Sequence, residues 1–325
     1  MTKKINAVVV TYNRKKLLKE CLDAILGQTY KINKLILIDN DSNDGTYEML
    51  EEEEYLNNKS IIYKKLEKNI GGAGGFHEGL ETSLSCDSDW VWIMDDDTIP
   101  TKSCLEKLVK AVDVIHGKTS FMASAIYGEN GEFMNTPTIN SRNSKSGYPY
   151  WYKYLANGVV NIERATFVSL LINTQAINKV GLPMKDYFIW GDDSEYTMRL
   201  TKYYGNAYLI GSSVAIHKRN AAKSLSIFEE NNLNRINFYY YFVRNNLINT
   251  FEYSGSAKGI RLYISWQLNS LKLLFSNGCK HRLLKFNTIH KALLCYTFRR
   301  YDKKAFDNRF DIKVKYKNDR HKLKR

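Results

Sequence analysis

An α/β fold on a mainly parallel sheet, followed by a basic helical region at the carboxyl end, is what the sequence predicts, and three observations predict it. Short β-rich runs alternate with helical periods through the first hundred residues, the pattern of successive βα units. Polar, acidic or glycine-rich stretches follow each of those runs, where open parallel sheets bind their ligands. From about Phe228 onward the period turns helical and the charge positive.

The elements follow in order. INAVVVTYN reads as a strand, and in KKLLKECLDAILGQ the residues Leu17, Leu18, Cys21, Leu22, Ile25 and Leu26 recur at three and four to make one apolar helix face. KLILIDN is a second strand, and DSNDGT a turn that can cap the helix TYEMLEEEEYL through Asp44 or a neighbour. SIIYKKLE is a third strand, followed by NIGGAGGF and a helix through HEGLETSL; WVWIMDD is the fourth. Such units in series imply parallel strands with right-handed crossovers. Thr11 to Asn13, Asp39 to Asp41, Asn69 to Gly75 and Asp95 to Asp97 then all fall at carboxyl ends of strands. Residues 119 to 217 are less regular: a polar loop, the cluster YPYWYKY, the apolar strand ATFVSLLIN, the segment YFIWGDDSEYTMRL and a last strand NAYLIGSSVAIH. Three helical stretches close the chain, INFYYYFVRNNLINTF, KGIRLYISWQLNSLKLLF and HRLLKFNTIHKALLCYTFRR. The organisation expected is a domain over 1–220 and a basic helical region over 221–325.

With 325 residues and 44% hydrophobic content the chain can bury a real core. Five scattered cysteines without a CxxC suggest neither a disulfide framework nor a cysteine zinc site, and the first residues lack a signal-peptide pattern, so a cytoplasmic setting is expected. The net charge of +14 is unevenly placed: from Lys218 on, 24 Lys and Arg face 7 Asp and Glu, a net of +17, which leaves the first 217 residues near −3. A basic, aromatic-rich end can meet nucleic acid, acidic polymer or an anionic membrane. No zinc-finger, RRM-type or recognition-helix signature accompanies it, so no nucleic-acid partner is expected. None of the helical stretches has the uninterrupted apolar length of a spanning helix, but basic residues mixed with Trp266, Leu271, Leu274, Phe275, Leu283 and Leu294 suit a membrane interface as well as a packed subdomain.

The acids Asp95, Asp96 and Asp97 end a run, Trp90 to Met94, that asks to be buried. Like charges side by side repel and raise one another's pKa, so a positive counter-charge is expected there. A D-x-D pair such as Asp95 and Asp97 can present oxygens to Mg2+ or Mn2+, and His217 at the last strand's end can add a nitrogen. Asp192 and Asp193 open a helix beside Trp190; acids there can serve a site or simply cap the helix. The four glycines of NIGGAGGF, Gly71, Gly72, Gly74 and Gly75, permit close backbone approach to a nucleotide, phosphate or sugar, yet match neither a P-loop nor a dinucleotide fingerprint.

Taken together, VVVTYNR, LILIDNDSNDGT, WIMDDD and IWGDDSEYTMRL resemble family 2 glycosyltransferases of the GT-A fold over about residues 5 to 220, and NIGGAGGF, the acidic triplet, Asp192–Asp193 and the downstream histidine are most similar to bacterial galactofuranosyltransferases, with rhamnosyltransferases as close relatives. The resemblance implies that Asp95, Asp97 and His217 hold a Mn2+ or Mg2+ ion at the diphosphate of a UDP-sugar, and that Asp193 is the general base of an inverting transfer. It implies nucleoside contacts from Thr11, Tyr12, Asp39 and Asn40, where many relatives carry aspartate in place of Asn40. The donor side would be lined by Gly71, Gly72, Gly74, Gly75, Phe76 and Asp96. Asp192, Glu195, Trp190, Trp151 and Tyr152 would serve a glycan or glycolipid acceptor, at the inner face of a membrane held by the basic helices. YYYFVRNN, with Arg244 and Asn245, has no assigned role. Two other classes compete: a D-x-D phosphohydrolase, which usually carries its motif on the first strand, and a nucleotide-sugar or glycan-binding module without catalysis.

Overall fold

The computed structural model of the chain describes residues 2–218 and 226–300. The expected border between 220 and 221, and the last 25 residues of the basic region, lie outside the described residues. Strands β1 (Ile5–Thr11), β2 (Lys34–Asp39), β3 (Ile61–Lys65), β4 (Trp90–Asp95), β5 (Thr98–Pro100), β6 (Thr119–Tyr127), β7 (Thr138–Ile139), β8 (Val159–Arg164), β9 (Leu170–Asn173) and β10 (Asn206–His217) join one sheet in the order β3-β2-β1-β4-β9-β6-β10-β8-β7, with β5 paired to β10. β1 runs parallel to β2 and β4, β2 to β3, and β6 to β10. β9 enters antiparallel between β4 and β6, so the parallel set keeps one direction across it.

Both faces of the sheet are covered, which is why the central strands are apolar throughout rather than alternating. Residues nonetheless sort by parity. Ala7 and Val9 of β1, Leu35 and Leu37 of β2, and Trp90, Trp92 and Met94 of β4 face one core, against α1 (Lys15–Leu26) and α4 (Cys104–Val114). Val8, Val10, Ile36, Ile38, Val91 and Ile93 face the other, against α3 (Gly71–Leu84), α5 (Thr174–Val180) and α6 (Asp192–Tyr203). The run before the acidic triplet is thus buried from both sides and delivers three carboxylates to the carboxyl edge of the sheet.

Two local expectations are corrected. Asp44 does not cap α2 (Thr46–Glu52); Gly45 stands at its N-cap, and the Asp44 carboxylate instead accepts from the Lys15 amide at the start of α1, 3.1 Å away. The glycine-rich stretch is not a loop ahead of a helix but the first turns of α3 itself, beginning at Gly71. Packing against β1 demands glycine at two positions of α3: a Cβ at Gly75 would lie 2.4 Å from Val10 Cγ1, and one at Gly79 2.3 Å from Val8 Cγ1. Helix and sheet approach closely because there is no side chain between them.

Beyond β10 the chain forms α7 (Leu233–Ser254), α8 (Ser256–Phe275) and α9 (Arg282–Thr297), as the periodicity predicts, packed around Tyr239, Val243, Leu247, Leu273, Ile289 and Leu293. A small fourth cluster of Ala73, Met184, Tyr187 and Ile248 ties α7 to the start of α3. Among the described residues no helix is long and apolar enough to cross a membrane.

Gly79 offers a test of which force sets α3. Alanine is the better helix former by about 1 kcal/mol, but its methyl would meet a buried valine that cannot rotate away, and overpacking costs about 1–3 kcal/mol. Gly79→Ala should therefore lower the unfolding free energy in urea; a gain would show that α3 sits farther from β1 than described.

Candidate active site

The acidic triplet is neutralised from β1. Thr11 Oγ1 donates to Asp96 Oδ2 at 2.7 Å, the Tyr12 amide to the same oxygen at 3.4 Å, and Arg14, on the turn between β1 and α1, reaches Asp96 Oδ1 at 3.3 Å and also pairs with Asp97 Oδ2. Asp96 is buried, and its burial, only partly offset by Arg14, pushes its pKa up to about 6. Burial, then Asp97 and Asp96, raise Asp95 well above the usual carboxylate range. At Asp97 burial works the same way, but His217 and Arg14 outweigh it and hold the carboxyl below that range. The expected counter-charge is thus partly Arg14. Its position three residues past the end of a strand neighbouring the acids was the available signal.

His217 closes β10 opposite β5, which places its Nε2 3.0 Å from Asp97 Oδ1. The approach is not aligned as a hydrogen bond, and Asp97 Oδ1 is buried without one. Asn135 sits behind the ring: its Nδ2 donates to Thr166 Oγ1 at 3.1 Å and its Oδ1 lies 2.8 Å from His217 Nδ1. This donor set, oxygen and imidazole, with the other ring nitrogen hydrogen-bonded from behind, suits Mn2+. Among the described residues no three acidic, histidine or cysteine side chains already form a metal cluster. Asn135, inside an undistinguished polar loop, carried no signal in the sequence.

Asp192 and Asp193 begin α6 after a Gly191 in left-handed conformation, at φ 96°. Burial first, then Asp193, raises the Asp192 pKa to about 8, and burial raises Asp193 above the usual range despite hydrogen bonds from the Ser194 amide, 2.6 Å from Asp193 Oδ1. Asp192 also stands close enough to Asp95 to contribute to the shift there. The two acidic groups, about a hundred residues apart in sequence, thus lie within electrostatic reach of each other.

The other expected residues divide. Thr11 and Asp96 are engaged with each other, while Tyr12 is exposed beside them. Asp39, at the end of β2, accepts from the Ser42 amide and the Tyr63 hydroxyl, both at 2.8 Å. Asn40 is corrected as a nucleoside contact: both donors of its buried amide go to Asn69 Oδ1 and the Gly71 carbonyl, each at 3.0 Å, and its oxygen takes the Ile70 amide, so it builds the turn into α3. Gly71, Gly74 and Gly75 are buried in packing against Phe188, Ile70 and Val10, whereas a side chain at Gly72 would meet nothing. Phe76 is corrected too, since it is 3% exposed in the core with its edge on Phe167. Glu195 is no acceptor contact; 1% exposed, it pairs with Arg199 at 2.9 Å and takes the Tyr253 hydroxyl at 2.6 Å. Trp190 is half-buried against Phe238, Tyr239 and Phe242 of α7, with Arg235 over its ring. Trp151 and Tyr152 sit on a 3-10 turn packed beside β8, with their rings on each other.

Comparison with known proteins follows the same lines. Galactofuranosyltransferase GlfT1 of Mycolicibacterium smegmatis is 26% identical over 211 residues, 62% of this chain and 66% of that protein, just under two-thirds of its length. Among solved structures, S. aureus TarS 1-349 in complex with UDP superposes with a TM-score of 0.53 at 15% identity, covering 80% of this chain and 69% of that one. GalNAc-T7 with UDP, GalNAc and Mn2+ superposes with a TM-score of 0.55 at 14% identity, covering 81% and 55%. These neighbours share the GT-A fold, which is the fold of this chain. The model of the glycosyl transferase family 2 matches residues 7–169, half of the chain, and the chain belongs to that family.

Proposed function

We propose that the chain is an inverting, metal-dependent glycosyltransferase that moves galactofuranose from UDP-galactofuranose to a hydroxyl of a glycan or lipid-linked acceptor in cell-surface glycan synthesis. The observation that carries this reading is that Asp95–Asp97 and His217, gathered at the carboxyl edge of the sheet, lie within electrostatic reach of Asp192 at the start of α6. One group suits a cation and diphosphate, the other a proton acceptor. The likeness to a galactofuranosyltransferase, and to folds solved with UDP and Mn2+, supports the donor and the ion.

In this reading Asp97 and His217, with Asp95, hold a divalent cation, which when bound supplies positive charge to the departing nucleoside diphosphate. Arg14 adds a guanidinium on the same side. Thr11 and the Tyr12 amide keep Asp96 fixed beneath the site, and the unobstructed face at Gly72 leaves room for the donor. The Asp193 carboxylate takes the acceptor hydroxyl's proton as that oxygen bonds to the anomeric carbon, and the bond from that carbon to the diphosphate breaks on the opposite face. Its raised pKa makes it the stronger base. Asp192, protonated at neutral pH, limits the pair to one charge and offers a hydrogen bond to the acceptor or to Asp193.

The helical region, read as a second unit, holds the enzyme at the inner face of an anionic membrane. Ile260, Ile264, Leu268, Leu271 and Phe275 recur at three and four along α8 and stay about half exposed or more, Leu268 at 54% and Phe275 at 81%, among Lys258, Arg261 and Lys272. Replacing Leu268 and Phe275 by glutamate should lower co-sedimentation with anionic vesicles by about 10-fold or more, each removed anchor also adding charge near the lipid; unchanged binding would remove the membrane from the reading.

Calorimetry of UDP, dTDP and GDP with and without Mn2+ tests the donor. UDP should bind in a metal-dependent way; preference for dTDP moves the reading to rhamnosyl transfer from dTDP-rhamnose, and no binding to any revives the non-catalytic module. Asn135→Leu, which leaves His217 unoriented, should weaken the Mn2+ dependence by about 10–100-fold.

Asp193→Asn should keep UDP binding and abolish transfer. Because a base acts when deprotonated and the Asp193 pKa is raised, wild-type activity should fall on acidification at a pH above the ordinary carboxylate range. Asp192→Asn keeps a neutral side chain beside Asp193 and should leave that limb in place; a limb at the usual carboxylate pH in the wild type would take the role from Asp193.

A further inference from the structure

The segment that leads into Asp193 is contorted. Phe188 has φ 58° and ψ −65°, a tight turn closed by the Ile189 amide on the Tyr187 carbonyl at 2.6 Å; Trp190 has φ 60° and Gly191 φ 96°. Three left-handed residues in four, two of them carrying aromatic side chains, persist only when their surroundings over-determine them.

Those surroundings come from α7. The Asn245 Nδ2 lies 3.0 Å from the Tyr187 carbonyl, 3.3 Å from that of Ile189 and 2.7 Å from that of Trp190. Asn249 Nδ2 donates to the Gly191 carbonyl at 2.8 Å, while its Oδ1 takes the Tyr187 hydroxyl at 2.7 Å. Arg244 donates to the Asp186 carbonyl, lies 3.3 Å from its carboxylate, and orients Asn245 through Nε to Oδ1 at 3.0 Å. The remaining carbonyl, that of Phe188, takes the Ala73 amide of α3 at 3.1 Å. All six consecutive carbonyls from Asp186 to Gly191 therefore have a partner outside the segment, five of them among three side chains of one helix, the two Asn245 Nδ2 hydrogens being shared among three carbonyls. Arg244, Asn245 and Asn249 are buried, so none is serving solvent.

We infer that Asn245, aided by Arg244 and Asn249, is a positioning residue for the base: it fixes the Asp186–Gly191 turn and through it the direction in which Asp192 and Asp193 leave the start of α6. Arg244 and Asn245 of YYYFVRNN thereby gain a role, and α7 becomes part of the transferase rather than an appendage to it. The inference rests on the reading of Asp193 as base only for its kinetic consequence; the ordering of the turn stands apart from it. Asn246, next in sequence, is an internal control, because its amide bonds the Phe242 carbonyl of its own helix at 2.8 Å.

Hydrogen exchange over residues 186–194 of the full chain, in wild type and in Asn245→Ala, Asn249→Ala and Asn246→Ala, tests this, together with UDP binding in Mn2+ and transfer from UDP-galactofuranose to an alkyl galactofuranoside. Asn245→Ala should speed exchange in that segment by about 10-fold or more while other protected segments keep their rates. It should lower kcat by about 100-fold, as a misplaced catalytic group does, with the donor KM and UDP affinity nearly unchanged. Asn249→Ala should show the same signature at smaller amplitude, and carries the test if Asn245→Ala does not fold; Asn246→Ala should match wild type. Unaltered exchange over 186–194, or kcat and UDP affinity falling together, would overturn the inference. A wild type that binds no UDP would instead defeat the transferase reading and leave the exchange result to decide the role of Asn245.

Discussion

Burying three adjacent carboxylates at the end of one strand is the constraint on which the candidate site depends. Two like charges about 4 Å apart repel by about 4 kcal/mol at the effective dielectric of a protein surface, a large share of the roughly 5–15 kcal/mol by which a domain is stable. The chain answers each acid differently. Asp96 receives a hydroxyl, an amide and a guanidinium; Asp97 has Arg14 on one oxygen and His217 facing the other; Asp95 is left with a raised pKa. Hydrogen bonds reach both oxygens of Asp96, though burial still raises its pKa, and none reaches Asp97 Oδ1, the oxygen that faces the imidazole backed by Asn135.

Much of this arrangement was legible in the sequence. The alternation of β-rich runs and helical periods gave the parallel set, and the polar ends of INAVVVTYN, KLILIDN and WVWIMDD marked the edge where the side chains gather. The antiparallel insertion of β9 between β4 and β6 was not legible, because a four-residue apolar strand reads alike in either direction. Nor was the fate of individual polar residues. Asn40 and Glu195 look available in the sequence, but hydrogen bonds formed with residues about thirty to sixty positions away, Ile70 and Gly71 in one case and Tyr253 in the other, decide that they build the frame. Long-range pairing is invisible to local pattern, and the same limit hid Asn135 and the task of Asn245.

The glycines of α3 show how one sequence signal can carry several causes. Flexibility toward a ligand was the expectation for all four. Gly74 and Gly75 answer instead to Ile70 and to Val10 of β1, and Gly71 to the backbone of Phe188, whose carbonyl oxygen would lie 2.1 Å from any Cβ placed there. Only Gly72 faces open space, so ligand room is a physical reason for glycine at that position alone.

Gly71 also explains why the two halves of the candidate site can hold a fixed relation. Its missing side chain lets the Phe188 carbonyl reach the Ala73 amide, joining the first turn of α3 to the turn that precedes Asp193. An in-line displacement needs the base and the leaving group held on opposite sides of one carbon, and small errors in that geometry are expensive in rate. In a fold where donor-side and acceptor-side residues come from distant parts of the chain, a direct backbone seam between their supports does this with the fewest soft torsions in between. The positive φ at Gly71 and the left-handed residues at Phe188 and Trp190 are the conformational cost of bringing two turns that close, and α7 is the element that makes the second turn hold.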